Sequence, residues 1–205
     1  MRTAMKSLRL SEGFLFVETA GKNTAILYLY TMTISPAGKH DIPALTELLN
    51  SAYRGDVSRK GWTTEADLLD GDLRTDAANL DELMHKPGAT FLKCSTPDGN
   101  INGCVYLQKQ ERELYLGMLS VSPLLQAAGI GKQLLAAAIE HAKANDCSSI
   151  FMTVISARTE LIAWYQRQGY RLTGERKPFP TGNQRFGIPT RHLEFVIMER
   201  NLGSS

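Results

Sequence analysis

The densest chemistry in the chain lies in Gln126-Ala127-Ala128-Gly129-Ile130-Gly131-Lys132, between an apolar run ending in Val121-Ser122-Pro123 and an Ala/Leu-rich stretch. Two glycines at the mouth of a helix let a phosphate approach the outward-pointing N–H groups of the first turn, where the helix dipole favours negative charge. Spacing tests which phosphate loop this is. The nucleoside-triphosphate loop G-x-x-x-x-G-K-[ST] needs glycine at 126 and a hydroxyl at 133. Both positions are glutamine, so the first glycine and the magnesium ligand are missing. The dinucleotide fingerprint G-x-G-x-x-G fits Gly129 and Gly131 but puts Leu134 at its third glycine. What remains is a strand, a loop and a helix able to hold a pyrophosphate on backbone N–H groups, provided that Gly129 and Gly131 stay small.

The pattern that fits is Q-x-x-G-x-G after a strand ending V-x-P. A second signature follows in "LIAWYQRQGYRLTGE", where Tyr165 precedes the Gly169-Tyr170 pair by four residues, and the closing run is "LEFVIMERNL". Together these resemble the GNAT superfamily of acetyl-CoA-dependent N-acyltransferases over residues 32–201. The resemblance implies a mixed, mostly antiparallel sheet flanked by helices on both faces, with central strands that splay at a bulge. It implies that the backbones of Leu119 and Val121 pair with the pantetheine arm. The pyrophosphate would rest on the N–H groups of Gln126, Ala127, Ala128, Gly129, Ile130, Gly131 and Lys132.

The implied reaction moves an acetyl group from acetyl-CoA, as co-substrate, to a primary amine of a small molecule or peptide by direct attack. No metal takes part. Tyr165 matches the family's general acid for the leaving thiolate. Leu161 and Ile162 share its helical face, so a core role is the competing reading. Glu113, at the start of the splayed strand, is the candidate base, with Tyr115 or a water chain as alternatives. Arg158 stands where the family often carries asparagine, and its partner is a CoA phosphate, an acceptor carboxylate or solvent. The acceptor pocket is expected between the first two helices and the loop before the last strand. That puts Tyr53, Trp62, Thr63 and Glu65 on one side and Phe179, Arg185, Phe186 and His192 on the other. An aromatic wall with Glu65 suits a cationic amine; Arg185 and Arg191 suit an acid. The alternative function on the same fold is a non-catalytic acyl-CoA-binding or sensor protein.

These residues need a scaffold. Asp41 reads as an N-cap, followed by Ile42, Leu45, Leu49 and Ala52 on one helical face. "TTEADLLDG" reads as a second short helix. "ATFLKCST" and "INGCVYLQKQ" read as strands joined at Pro97-Asp98-Gly99-Asn100, with "ELYLGMLSVSP" as a third. Beyond the glycine loop, Leu134, Leu135, Ala138, Ile139 and Ala142 form one apolar face. Then come the strand "SSIFMTVI", a helix closed by Gly169, and two final strands. The order β-α-α-β-β-β-α-β-α-β-β makes an α/β sandwich. Residues 1–31 stand apart from the N-acetyltransferase domain at 32–205, as an extension that is a hairpin turning at Gly21-Lys22-Asn23 or is poorly ordered.

Bulk properties narrow the field. The chain has 205 residues, a formal net charge of +2 and 43% hydrophobic residues, which suits a globular core and argues against nucleic-acid or anionic-membrane partners. No run reaches the ~18 apolar residues of a membrane span. Three cysteines without a C-x-x-C read as reduced thiols of a cytoplasmic protein, with a stray Cys94–Cys104 pairing as the alternative. The final strands offer an edge along which two copies could pair as a homodimer.

Overall fold

The computed structural model describes residues 5–11, 14–19, 32–59, 61, 64–126, 128–180, 185 and 187–203, and the structural statements below concern these. Near the N-terminus, β1 (Met5–Ser11) and β2 (Phe14–Thr19) form an antiparallel hairpin closing at Ser11 and Phe14. The expected hairpin turn at Gly21-Lys22-Asn23 lies outside the described residues.

The main unit runs β3 (Thr33–Pro36), α1 (Ile42–Tyr53), α2 (Gly55–Ser58), β4 (Leu69–Asp70), α3 (Ala77–Met84), β5 (Ala89–Ser95), β6 (Ile101–Gln110), β7 (Glu113–Val121), α4 (Ile130–Ala144), β8 (Ser149–Ile155), α5 (Thr159–Arg167), β9 (Arg171–Pro178), β10 (Ile188–Pro189) and β11 (Glu194–Asn201). Seven strands make one sheet in the order β3-β5-β6-β7-β8-β11-β9, antiparallel except for β7 beside β8. β4 and β10 pair separately. No helix among the described residues is long and apolar enough to cross a membrane.

Strand alternation divides the core. On β6, Cys104 and Tyr106 join Leu45, Leu49 and Ala52 of α1, while Val105 and Leu107 join Leu134, Leu135 and Ala138 of α4. The sheet is thus covered by α1 and α3 on one face and α4 on the other. Each fully buried leucine adds about 1.5–3 kcal/mol by leaving water. Cys94 belongs to the α4-side core and Cys104 to the α1-side core, so they point to opposite faces and cannot bond. Burial pushes their thiols up, to about 11 and about 12.

Two local expectations are corrected. The helix foreseen at "TTEADLLDG" is a single turn, with the N–H groups of Leu68 and Leu69 donating to the Glu65 carbonyl. It stops because Leu69–Asp70 pairs with Ile188–Pro189 and Gly71 takes φ +117°. The second substantial helix is α3, begun by Asp76, whose side chain accepts from the Asn79 N–H. Asp41 stands at the start of α1, but its carboxylate does not cap that helix. It accepts from the Gly38 N–H and from Lys93 Nζ instead.

Candidate active site

The site grows from an irregularity in β7. Tyr106 opposes Gly117 while Cys104 opposes Ser120, so β7 carries one extra residue, and Met118 takes φ +50° there. Such a bulge bends and twists its strand. β7 stays paired with β8 only over Glu113–Tyr115 opposite Ser149–Phe151. From Leu116 to Val121 its outer edge has no strand beside it on that side among the described residues. The sheet opens into a V.

A cavity of about 490 Å³ fills this opening. One wall is the β7 edge at Leu119 and Val121; the opposite wall is Leu161, Trp164 and Tyr165 of α5. Its phosphate-loop end is Gln126 and Ala128 to Lys132. Gly129 caps α4 with φ +82°, a left-handed conformation that glycine adopts without strain, and a Cβ built there meets nothing within 4 Å. The N–H groups of Ile130, Gly131 and Lys132 open the helix and have no intrahelical partner. At Gly131 a Cβ would sit 3.5 Å from the Trp164 ring, so the loop and α5 already touch. Gly61 lies hard against the Gln126 side chain, so the segment before Trp62 runs beside the phosphate loop. These features fit acetyl-CoA: an open left-handed cradle at a helix N-terminus, an unpaired strand edge, and an apolar channel between them.

At the other end of the cavity, the Tyr53 hydroxyl donates a 2.7 Å hydrogen bond to the Leu119 carbonyl. Arg158 lines the cavity and lies 5.9 Å from the Tyr53 ring centroid; Arg74 lies 5.5 Å from it. Glu65 is buried among three arginines: Arg54 Nη1 at 2.8 Å, Arg158 Nη1 at 3.2 Å and Arg74 Nε at 3.9 Å. Burial alone would raise the Glu65 carboxyl, but the charges of Arg74, Arg158 and Arg54 hold it below the usual carboxylate range. Burial drives the Tyr165 phenol well above its ordinary value, with the Arg158 charge opposing. Tyr165 packs edge-on against Trp164 and Tyr170, at centroid distances of 5.0 and 5.7 Å.

The family model described as the acetyltransferase (GNAT) family matches residues 42–170. The chain belongs to the GNAT acetyltransferase family. It is therefore an acyltransferase of a family that uses acetyl-CoA. Among solved structures it is similar to a candidate acetyltransferase from Salmonella typhimurium, solved with its cofactor acetyl-CoA. That match has 21% identity and a TM-score of 0.60, and covers 85% of this chain and 95% of the other. It is also similar to the ribosomal-protein-S18-alanine N-acetyltransferase from Escherichia coli, at 16% identity and TM-score 0.62, covering 85% and 96%. A ribosomal-protein-alanine N-acetyltransferase from Brucella melitensis matches at 21% identity and TM-score 0.59, covering 82% and 99%. At these identities the likeness is one of fold. Among curated proteins, none matches the chain.

Within this GNAT fold, the expected residues divide. Tyr53, Leu119, Val121, Gln126, Ala128, Gly129, Ile130, Gly131, Lys132, Arg158 and Tyr165 all line the one cavity. Ala127, Trp62, Thr63 and Phe186 lie outside the described residues. Glu113, the expected base, is not brought to the site. It sits exposed at the far end of β7, accepting from Ser149 Oγ at 3.4 Å, and roughly 20 Å of strand separates it from Leu119. Glu65 comes close, but as the hub of an ion-pair cluster rather than an open carboxylate. Arg185 pairs with Asp76 at the start of α3 and is not on the cavity wall. Phe179 stacks on Phe195 in a satellite core, and Arg191 and His192 are exposed.

Sequence reasoning missed Arg54 and Arg74, whose role depends on long-range packing that carries no local pattern. It also missed Gly103, where a Cβ would meet Ile130 Cγ2 at 2.8 Å. An isolated glycine inside a strand pattern is the signal that could have found it.

Proposed function

We propose that this GNAT protein is an N-acetyltransferase that moves the acetyl group of acetyl-CoA to a primary amine by direct attack, with Tyr165 as the proton donor. The observation that carries this reading is the single cavity joining the α4 N-terminus, the unpaired edge of β7 and the Tyr165 ring. The N–H groups around Gly129 and Gly131, with Lys132 at the mouth, would hold the pyrophosphate. Leu119 and Val121 would hold the pantetheine arm as an added strand. Acetyl-CoA supplies an activated thioester carbonyl. The amine nitrogen forms a bond to that carbonyl carbon, the C–S bond breaks, and Tyr165 hydrogen-bonds or protonates the departing sulfur. Burial keeps the Tyr165 phenol protonated at neutral pH, the form that a donor requires. The proton lost by the amine leaves to solvent; Glu65, which pairs with the cavity-lining Arg158, is held ionised by its arginines and is a poor base.

Isothermal calorimetry of the full chain with acetyl-CoA, CoA and ATP, beside Gly129→Trp, tests the reading. The expected result is micromolar binding of acetyl-CoA, none of ATP, and loss in the variant. An amine panel read by thiol release then separates catalysis from sensing. Tight acetyl-CoA binding without turnover of any amine would favour the acyl-CoA sensor, and no CoA binding would overturn both.

A further inference from the structure

The cavity has a built end. Its wall on β7 stops at Leu119; Met118 and Gly117, the next residues toward the start of the strand, do not line it. Met118 is the residue at the bulge, with φ +50°. The space over Gly117 is taken by the Tyr115 side chain, whose Oη a Cβ at Gly117 would meet at 3.1 Å. At this end stands the Tyr53 ring, on the cavity wall with Leu119 and Tyr165. Its hydroxyl is anchored by the 2.7 Å bond to the Leu119 carbonyl, and Arg74 and Arg158 lie 5.5 and 5.9 Å from its centroid. The ring is 7% exposed and belongs to the buried cluster of α1, with Leu49, Ala52, Cys104 and Tyr106. A ring fixed in this way yields little, because moving it would open a void or force side chains off their rotamers.

A pantetheine arm laid along Val121 and Leu119 from the phosphate loop would bring its sulfur to Leu119 and Tyr165. Its acyl group would then lie against the Tyr53 ring. We propose that the Tyr53 ring, pinned to Leu119 at the end of the cavity, sets the length of the acyl group, leaving room for acetyl and turning away longer acyl chains. This deepens, and rests on, the N-acetyltransferase reading, since it fixes the class of acyl donor. The bulk of the ring discriminates, while the hydroxyl only anchors it. Butyryl exceeds acetyl by two methylenes, and one methylene that a fixed apolar pocket cannot seat costs about tenfold or more in discrimination.

The test is calorimetric titration of the full chain with free CoA, acetyl-CoA, propionyl-CoA and butyryl-CoA, in the wild type, Tyr53→Leu and Tyr53→Phe. Each acyl-CoA affinity is divided by that of free CoA for the same protein, so that a general weakening of the site cancels. In the wild type, butyryl-CoA should bind about tenfold or more weakly than acetyl-CoA, with propionyl-CoA between them. Tyr53→Leu, with its smaller side chain, should narrow the gap to about threefold or less. Tyr53→Phe loses the bond to Leu119 but keeps the ring, and should keep the gap. Butyryl-CoA binding the wild type as tightly as acetyl-CoA would overturn the proposal, whether or not the variants fold. So would a gap unchanged in Tyr53→Leu, or lost to the same extent in Tyr53→Phe, since the bulk of the ring would then not be what discriminates. Free CoA separates this proposal from the reading beneath it. CoA bound without discrimination by chain length would sink the length limit and leave the acetyltransferase reading standing, whereas no binding of any CoA species would sink both.

Discussion

The Tyr53 hydroxyl, at the last residue of α1, donates to the carbonyl of Leu119 on the unpaired stretch of β7, 66 residues further along the chain. This bond ties the end of α1 to the strand edge that walls the cavity. It also holds the Tyr53 ring where Arg74 and Arg158 meet it. Tyr53→Phe removes the bond and keeps the ring. The expected cost is about 1 kcal/mol, or a Tm lower by roughly 2–4 °C. Calorimetric melting should show this shift in the free protein. If Tyr53→Phe melts with the wild type, the bond does not hold the strand.

Two glycines in one helix–strand unit should fail in different ways. At Gly129 a new side chain meets open cavity, but the left-handed backbone strains it by about 1–3 kcal/mol. Gly129→Trp should therefore fold with modest destabilisation and lose acetyl-CoA binding. At Gly103 a new Cβ runs into Ile130 Cγ2 at 2.8 Å and Leu134 Cδ1 at 3.0 Å, on the packed side of α4. Gly103→Val should lower stability by about 1–3 kcal/mol through overpacking. Urea midpoints and acetyl-CoA titrations on both variants read the contrast directly. Equal loss of binding with equal loss of stability would deny that Gly129 faces a ligand.

Tyr165→Phe keeps the aromatic contacts with Trp164 and Tyr170 and removes only the hydroxyl. A proton donor of this kind is worth about 10²–10⁴-fold. The expected result is a kcat lower by about two orders of magnitude, with the acetyl-CoA Kd unchanged. The pH profile gives a second reading. Burial raises the Tyr165 pKa above the ordinary phenol value near ~10, so the donor form persists through the assay range. No alkaline fall of kcat from this group should appear below about pH 10. An unchanged kcat in Tyr165→Phe would return Tyr165 to a purely packing role.

The phosphate-loop side of the candidate site was legible because it depends on local rules. Gly129 and Gly131 announce a helix mouth by spacing, and Tyr165 and Gly169 keep a fixed offset along one helix. On β6 the period of two puts Val105 and Leu107 on the α4 face and Cys104 and Tyr106 on the α1 face. The Glu65 side of the candidate site depends on where distant segments meet. Glu65 reads as an open carboxylate until Arg54, Arg74 and Arg158 arrive from three other stretches of chain. Glu113 reads as near the chemistry until the bulge at Met118 shows which end of β7 opens. The turn at 66–68 reads as helical because Leu68 and Leu69 suit an apolar face, and the pairing of Leu69–Asp70 with the distant Ile188–Pro189 decides otherwise.

The Glu65 cluster makes a prediction about pH. Its folded-state pKa is depressed, since Arg74, Arg158 and Arg54 together outweigh the cost of burial. A depressed carboxyl contributes stability that is fully present above its unfolded value of about 4.3 and is lost as pH falls through the lower folded value. The wild type should therefore lose stability on acidification from about pH 5 downward. Glu65→Gln should flatten that slope, because the group that must be protonated is gone. At pH 7 the same variant leaves three guanidiniums without their shared counter-ion, and it should be less stable by about 3–5 kcal/mol, as when one partner of a buried ion pair is removed. Urea unfolding at pH 7, 5 and 3.5 for both proteins tests both statements. Parallel pH curves, offset by a constant, would mean that another carboxylate carries the acid sensitivity. A Glu65→Gln variant as stable as the wild type at pH 7 would mean that Glu65 is not the counter-ion that holds Arg54 and Arg158 in place.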